Sequence, residues 1–126
     1  MKTILLAFCL AASAIAAEES KGALLMKKEL TGIAGKEAIM QTVVYAPGAS
    51  SPMHRHNAHT FVYVLEGSIV MGVKGGKEMI LGPGETFYES PEDIHAVGRN
   101  ASATTPAKFL VFMVKDSGAP GSVPVK

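Results

Sequence analysis

Between Gly48 and Gly67 the chain reads GASSPMHRHNAHTFVYVLEG, with His54, His56 and His59 inside six residues. Along an extended strand alternate side chains share a face, so His54 and His56 point the same way, about 7 Å apart by strand rise. Two imidazoles on one face, met by a third from elsewhere, can hold a borderline cation such as Zn, Fe, Ni or Cu. The later stretch GETFYESPEDIHAVGRN supplies that third imidazole, His95. The chemistry on offer is that of one divalent transition metal (Fe, Mn, Ni, Zn or Cu) held by His54, His56 and His95.

Parity decides which neighbours share that space. If His54 and His56 face inward, an unbroken register puts Thr60, Val62 and Val64 on the same face and Phe61 and Tyr63 on the other. Thr60 and Val62 are then candidates to line a substrate space. Arg99 follows His95 with matching parity, so an inward guanidinium could meet a substrate carboxylate, the plainer alternative being a salt bridge at the rim. His59 falls on the outward parity unless the Asn57-Ala58 turn resets the alternation. It is read two ways: a surface or supporting histidine, or a fourth ligand. Glu85 and Glu89 are read as solvating the surface. Tyr45, Tyr63 and Tyr88 are read as half-buried strand residues, and the methionines, Met71 and Met113 among them, as adaptable core filler.

The elements that must position these groups are strands. No helical period survives for long, and short alternating or apolar runs are punctuated by glycine and proline. Strands are predicted over Ala23–Leu30, Glu37–Ala46, Met53–His56, Thr60–Leu65, Ser68–Val73, Lys77–Leu81, Thr86–Glu89, Ile94–Arg99 and Ala107–Lys115. About nine short strands at this spacing indicate an all-β sandwich or barrel. The tail from about residue 117, with Gly118, Pro120, Gly121 and Pro124, is expected to be flexible.

At this point the residues resemble the cupin superfamily. Its first motif runs Gly, five residues, His-x-His, three or four residues, Glu, six residues, Gly. Gly48, His54, His56 and Gly67 match it, with Thr60 in the glutamate position. Its second motif is met by Gly84, Pro91 and His95, while Asn100 comes one residue late. The resemblance implies a double-stranded β-helix, a jelly-roll-like conical barrel, with the metal inside. The ligands carried over by position are His54, His56 and His95. Some similar proteins with three histidines use Fe(II) to cleave diketones or oxidise thiols. Others with the extra glutamate are dioxygenases, decarboxylases or isomerases.

Bulk properties bound the rest. Lys2, the apolar run Ile4 to Ala16 and the small residues around Ala17 have the layout of a secretory signal peptide over residues 1–17. A single domain over 18–126 and a periplasmic or secreted location are expected from it. Cys9 lies inside the signal, so the remaining chain offers neither disulfide nor thiolate. Without Lys2 the chain carries eleven basic and eleven acidic residues. No basic stripe invites nucleic acid or an anionic membrane surface. The expected partners are a small-molecule ligand and a second copy, since the outward Phe61 and Tyr63 permit a homodimer. The functional expectation is a small metalloenzyme, dioxygenase-like or isomerase/lyase-like, acting on an oxygenated small molecule. The alternative is a non-catalytic module that binds a metabolite or a metal.

Overall fold

A computed structural model describes residues 20–126. The segment read as an export signal, residues 1–17, lies outside that range. Ten strands follow in chain order: β1 (Lys21–Glu29), β2 (Lys36–Tyr45), β3 (His54–Arg55), β4 (His59–Glu66), β5 (Ile69–Val73), β6 (Met79–Leu81), β7 (Thr86–Glu89), β8 (Ile94–Asn100), β9 (Ala107–Asp116) and β10 (Val123–Pro124). The nine predicted strands all occur, and β10 is an addition.

Alternation builds the barrel. Along β9, Ala107, Phe109, Val111 and Met113 are buried while the residues between them are half-exposed. On β4, Thr60, Val62 and Val64 are buried and His59, Phe61 and Tyr63 are exposed. Two antiparallel sheets result, ordered β1-β2-β9-β4-β7 and β10-β3-β8-β5-β6. Their inner faces supply the core, where Tyr45 meets Phe109 edge to face at 5.0 Å between ring centroids. Apolar burial of this kind is worth roughly 1.5–3 kcal/mol per large side chain. The outward side of β4 and β7 keeps Phe61, Tyr63 and Tyr88 exposed.

Gly67, the last residue of the first motif, turns β4 into β5 with φ 69°. A Cβ there would stand 2.5 Å from the Pro106 carbonyl oxygen. Gly48 also has positive φ, 73°, but open space around its Cβ position. Gly48→Ala is therefore expected to cost about 1–2 kcal/mol, the left-handed penalty alone. Gly67→Ala adds a backbone clash and is expected to cost about 2–5 kcal/mol. Denaturant midpoints of the two variants check the ranking.

The tail departs from expectation. Val123 pairs with Arg55 and Pro124 with His54, so β10 lies along the β3 edge. Lys115, at the end of the inward column of β9, donates to the Ala119 carbonyl at 2.6 Å and forms a buried ion pair with Glu37. Gly118 N–H also donates to Glu37, at 3.2 Å. Composition pointed to a loose end, but these bonds fasten the tail across β2 and β3.

The bond from Lys115, opposed by burial and supported by Lys27, holds Glu37 down from 4.5 to about 2. A carboxyl whose folded pKa lies below its unfolded value stabilises the fold above the unfolded pKa. That contribution is lost as pH falls from about 4.5 to about 2. A Tm–pH profile should drop through this window and flatten there in Glu37→Gln.

Candidate metal centre

Register places the histidines. β3 pairs with β8 so that His54 faces His95 directly, and facing Cβ atoms in an antiparallel pair stand about 4.5–5.5 Å apart. His56 follows β3 just before Asn57, whose φ of 52° turns the chain out of one sheet and toward the other. The three rings converge. His54 Nε2 lies 3.1 Å from His56 Nε2 and 3.2 Å from His95 Nδ1. One nitrogen from each ring falls within 4.8 Å of the others.

A carbonyl on the far side of the ring fixes the tautomer of His54 and of His56. His54 Nδ1–H donates to the Pro52 carbonyl at 2.7 Å, and His56 Nδ1–H to the Gly121 carbonyl at 2.8 Å. His95 Nε2 lies 3.1 Å from Met71 Sδ, a weak acceptor. A neutral imidazole that donates from one nitrogen presents a lone pair at the other. In the His95 tautomer that donates toward Met71, three lone pairs face one point. Burial, aided by His54 and His56, holds His95 down to about 4. Burial likewise lowers His56. These are imidazoles ready to ligate without first losing a proton.

A fourth group meets them from the opposite sheet. β7 pairs with β4 so that Glu89 faces Thr60, and both side chains point inward. Glu89 is 1 % exposed, and neither carboxylate oxygen has a hydrogen-bond partner. Its oxygens lie 3.6 Å from His56 Nε2 and 3.6 Å from His95 Nδ1. Burial, with Asp93 adding to it, raises this carboxyl to about 7. The expectation that Glu89 solvates the surface is corrected: alternation from the half-buried Phe87 carries it inside.

Two of the three nitrogen pairs stand at the spacing of ligands on one cation. Ligand atoms cis to one another on an ion with bonds near 2.1 Å stand roughly 3–3.5 Å apart. The nitrogen–nitrogen contacts of 3.1 and 3.2 Å fall in that range. Uncharged nitrogens and a carboxyl group crowded together without donors between them suit a cation at their centre.

His59 does not join the cluster. It is exposed on the outer side of β4, where its Nδ1 shares a hydrogen bond of 2.7 Å with the Tyr88 hydroxyl. The Asn57 turn leaves His59 on its outward parity. Arg99 also stays out of the site: it is exposed, with Nη2 3.6 Å from Glu78 Oε2. The reason is a β-bulge. Gly72 pairs with Val97 and Val73 with His95, so Ala96 is an extra residue that flips the parity beyond it. Asn100 turns inward instead and donates to the carbonyls of Tyr45, Ala46 and Thr105.

The centre opens into a cavity of about 570 Å³. Thr60 and Val62 line it, with Ile39, Val43, Phe109 and Val111. Its remaining polar groups include Gln41 and Tyr45, whose hydroxyl donates to Ser51 Oγ at 3.1 Å. No lysine or arginine among the described residues lines it.

The sequence model of the family described as Cupin domain matches residues 41–113, more than half of the chain. An oxalate oxidase solved in complex with the substrate analogue glycolate is 29% identical, with TM-score 0.59 over 70% of this chain and 46% of that one. A DMSP lyase from Ruegeria pomeroyi DSS-3 is 22% identical, with TM-score 0.61 over 70% of this chain and 43% of that one. An uncharacterised protein with a double-stranded β-helix domain from Klebsiella pneumoniae matches over 88% of both chains, at 17% identity and TM-score 0.66. The chain thus spans less than half the length of the oxidase and the lyase, and the last two likenesses are of fold. No curated protein matches it by sequence.

Proposed function

Since the chain belongs to the cupin family, we propose that it is a small metalloenzyme. It uses His54, His56 and His95 to hold one divalent transition metal and acts on a compact oxygenated molecule. One observation carries the reading: three imidazoles, two of them oriented by a carbonyl on the far side of the ring, converge in the wall of a largely apolar cavity. The likeness to an oxalate oxidase that binds glycolate supports a small oxygen-bearing ligand. The leader pattern of residues 1–17 supports a periplasmic or secreted place for the reaction.

When bound, the ion supplies Lewis acidity, and a redox couple if it is iron, manganese or copper. The chain does the rest. Ile39, Val43, Val62, Phe109 and Val111 exclude water and strengthen electrostatic interactions inside the cavity. With no lysine or arginine in the wall, an anionic substrate group has its counter-charge at the centre and nowhere else in the cavity. That selects a ligand with one polar end and an apolar body. Burial raises the Tyr45 pKa, so its phenol keeps the proton it donates to Ser51 Oγ and leaves an oxygen lone pair to accept from a substrate hydroxyl.

A non-catalytic barrel that holds a metabolite is favoured by one feature: apart from the cluster and Tyr45, no titratable side chain among the described residues lines the wall. Elemental analysis of the wild type beside His56→Ala, followed by oxygen uptake and product analysis with diketones, thiols and flavonols, separates the readings. About one equivalent of metal, lost in His56→Ala, with turnover of any of these, supports the enzyme. Metal without turnover supports the binding module, and no metal in either protein overturns both metal readings.

A further inference from the structure

Every cupin-like feature of the first motif is present except its glutamate, and Thr60 stands in that place. Thr60 is fully buried on the inward face of β4, with its hydroxyl 3.4 Å from the Ala58 carbonyl. Directly across the strand pair, on the inward face of β7, is Glu89. Facing residues of an antiparallel pair have Cβ atoms about 4.5–5.5 Å apart, so a glutamate side chain on either strand can reach the same point. Here the carboxylate comes from the β7 side, and both its oxygens are buried without a partner.

A buried carboxylate left without hydrogen bonds is costly, and native proteins rarely keep one without a use. The Glu89 oxygens are aimed at two of the three converging nitrogens, at 3.6 Å from each. Those separations are too long for hydrogen bonds and close to the spacing of ligand atoms sharing one ion.

We propose that Glu89 is the fourth ligand of the centre, its carboxylate relocated from the Thr60 position on β4 to the facing position on β7. This rests on the metal reading above and completes it. Three neutral imidazoles and one carboxylate leave a divalent ion with a single net positive charge. The centre is therefore matched to a singly charged oxygen ligand, such as a monocarboxylate or an enolate, rather than a dianion.

The test is the dissociation constant of Zn(II) and of Mn(II), each measured by chelator competition on wild type, His56→Ala, Glu89→Ala and the exchange variant T60E/E89T. Loss of a ligand should weaken binding at least as much as loss of a supporting contact, so Glu89→Ala is expected to bind about 100-fold more weakly or worse. The exchange variant returns the carboxylate to β4 and should recover most of that loss. Melting in the presence of chelator supplies a second reading that does not depend on metal. Glu89→Ala removes a buried carboxyl group that has no hydrogen-bond partner, so the metal-free protein should melt no lower than wild type.

The two levels of the argument fail differently. Wild type that binds neither ion overturns the metal reading and this proposal with it. Wild-type binding that is lost in His56→Ala but kept within threefold in Glu89→Ala overturns the fourth ligand alone. A lower metal-free melting point with an unchanged dissociation constant would also overturn it, by making Glu89 a structural residue.

Discussion

Stripped of metal and then given Zn(II) at a thousand times its dissociation constant, the protein is expected to melt about 15 °C higher. Ligand that binds only the folded state stabilises it by about 4 kcal/mol at that excess. For a domain of this size each kcal/mol moves Tm by about 4 °C. The effect should be large because the metal-free centre is itself poorly satisfied. His54, His56 and His95 turn lone pairs toward one another across 3.1–3.2 Å, and Glu89 has no donor on either oxygen. A cation relieves all of this at once. His95→Ala removes one arm of the centre and should show almost none of the shift, although its own metal-free melting point also falls. Differential scanning calorimetry with and without chelator reads both quantities. An equal rise in wild type and His95→Ala would place the stabilising ion elsewhere on the protein.

The parts of this centre that were legible in the sequence are those governed by local alternation. His54 and His56, two apart, share a face wherever a strand holds them, and the column Thr60, Val62, Val64 follows by counting in twos. Arg99 escaped the same counting because the extra residue at Ala96 reverses parity after His95. Nothing in the string IHAVGRN announces a bulge. Glu89 was obscured for another reason. Its strand is four residues long, too short to fix a phase, and a glutamate beside a proline turn ordinarily belongs at the surface. The sign that could have found it is the pairing of β7 with β4, which sets Glu89 opposite the unexpected Thr60. That contact spans 29 residues and comes from tertiary register, which composition and periodicity do not contain.

The tail carries the same lesson and a prediction with a large effect. Glycine and proline made residues 117–126 read as loose, yet Gly121 supplies the carbonyl that holds His56 Nδ1–H at 2.8 Å. Its neighbours Val123 and Pro124 pair with Arg55 and His54. A chain ending at Ala119 keeps the bond from Lys115 Nζ to the Ala119 carbonyl but loses β10 and the partner of His56. Losing the group that orients a ligand histidine costs about 10–100-fold in metal affinity. Global stability should fall far less, because the lost pairing is a two-residue edge strand worth about 1 kcal/mol. Truncation is therefore expected to separate two quantities that His56→Ala lowers together: the metal dissociation constant weakens by one to two orders of magnitude while the metal-free Tm moves only a few degrees. Unchanged affinity in the truncated chain would mean that Gly121 does not orient His56, and that its ring is held by β3 and the metal alone.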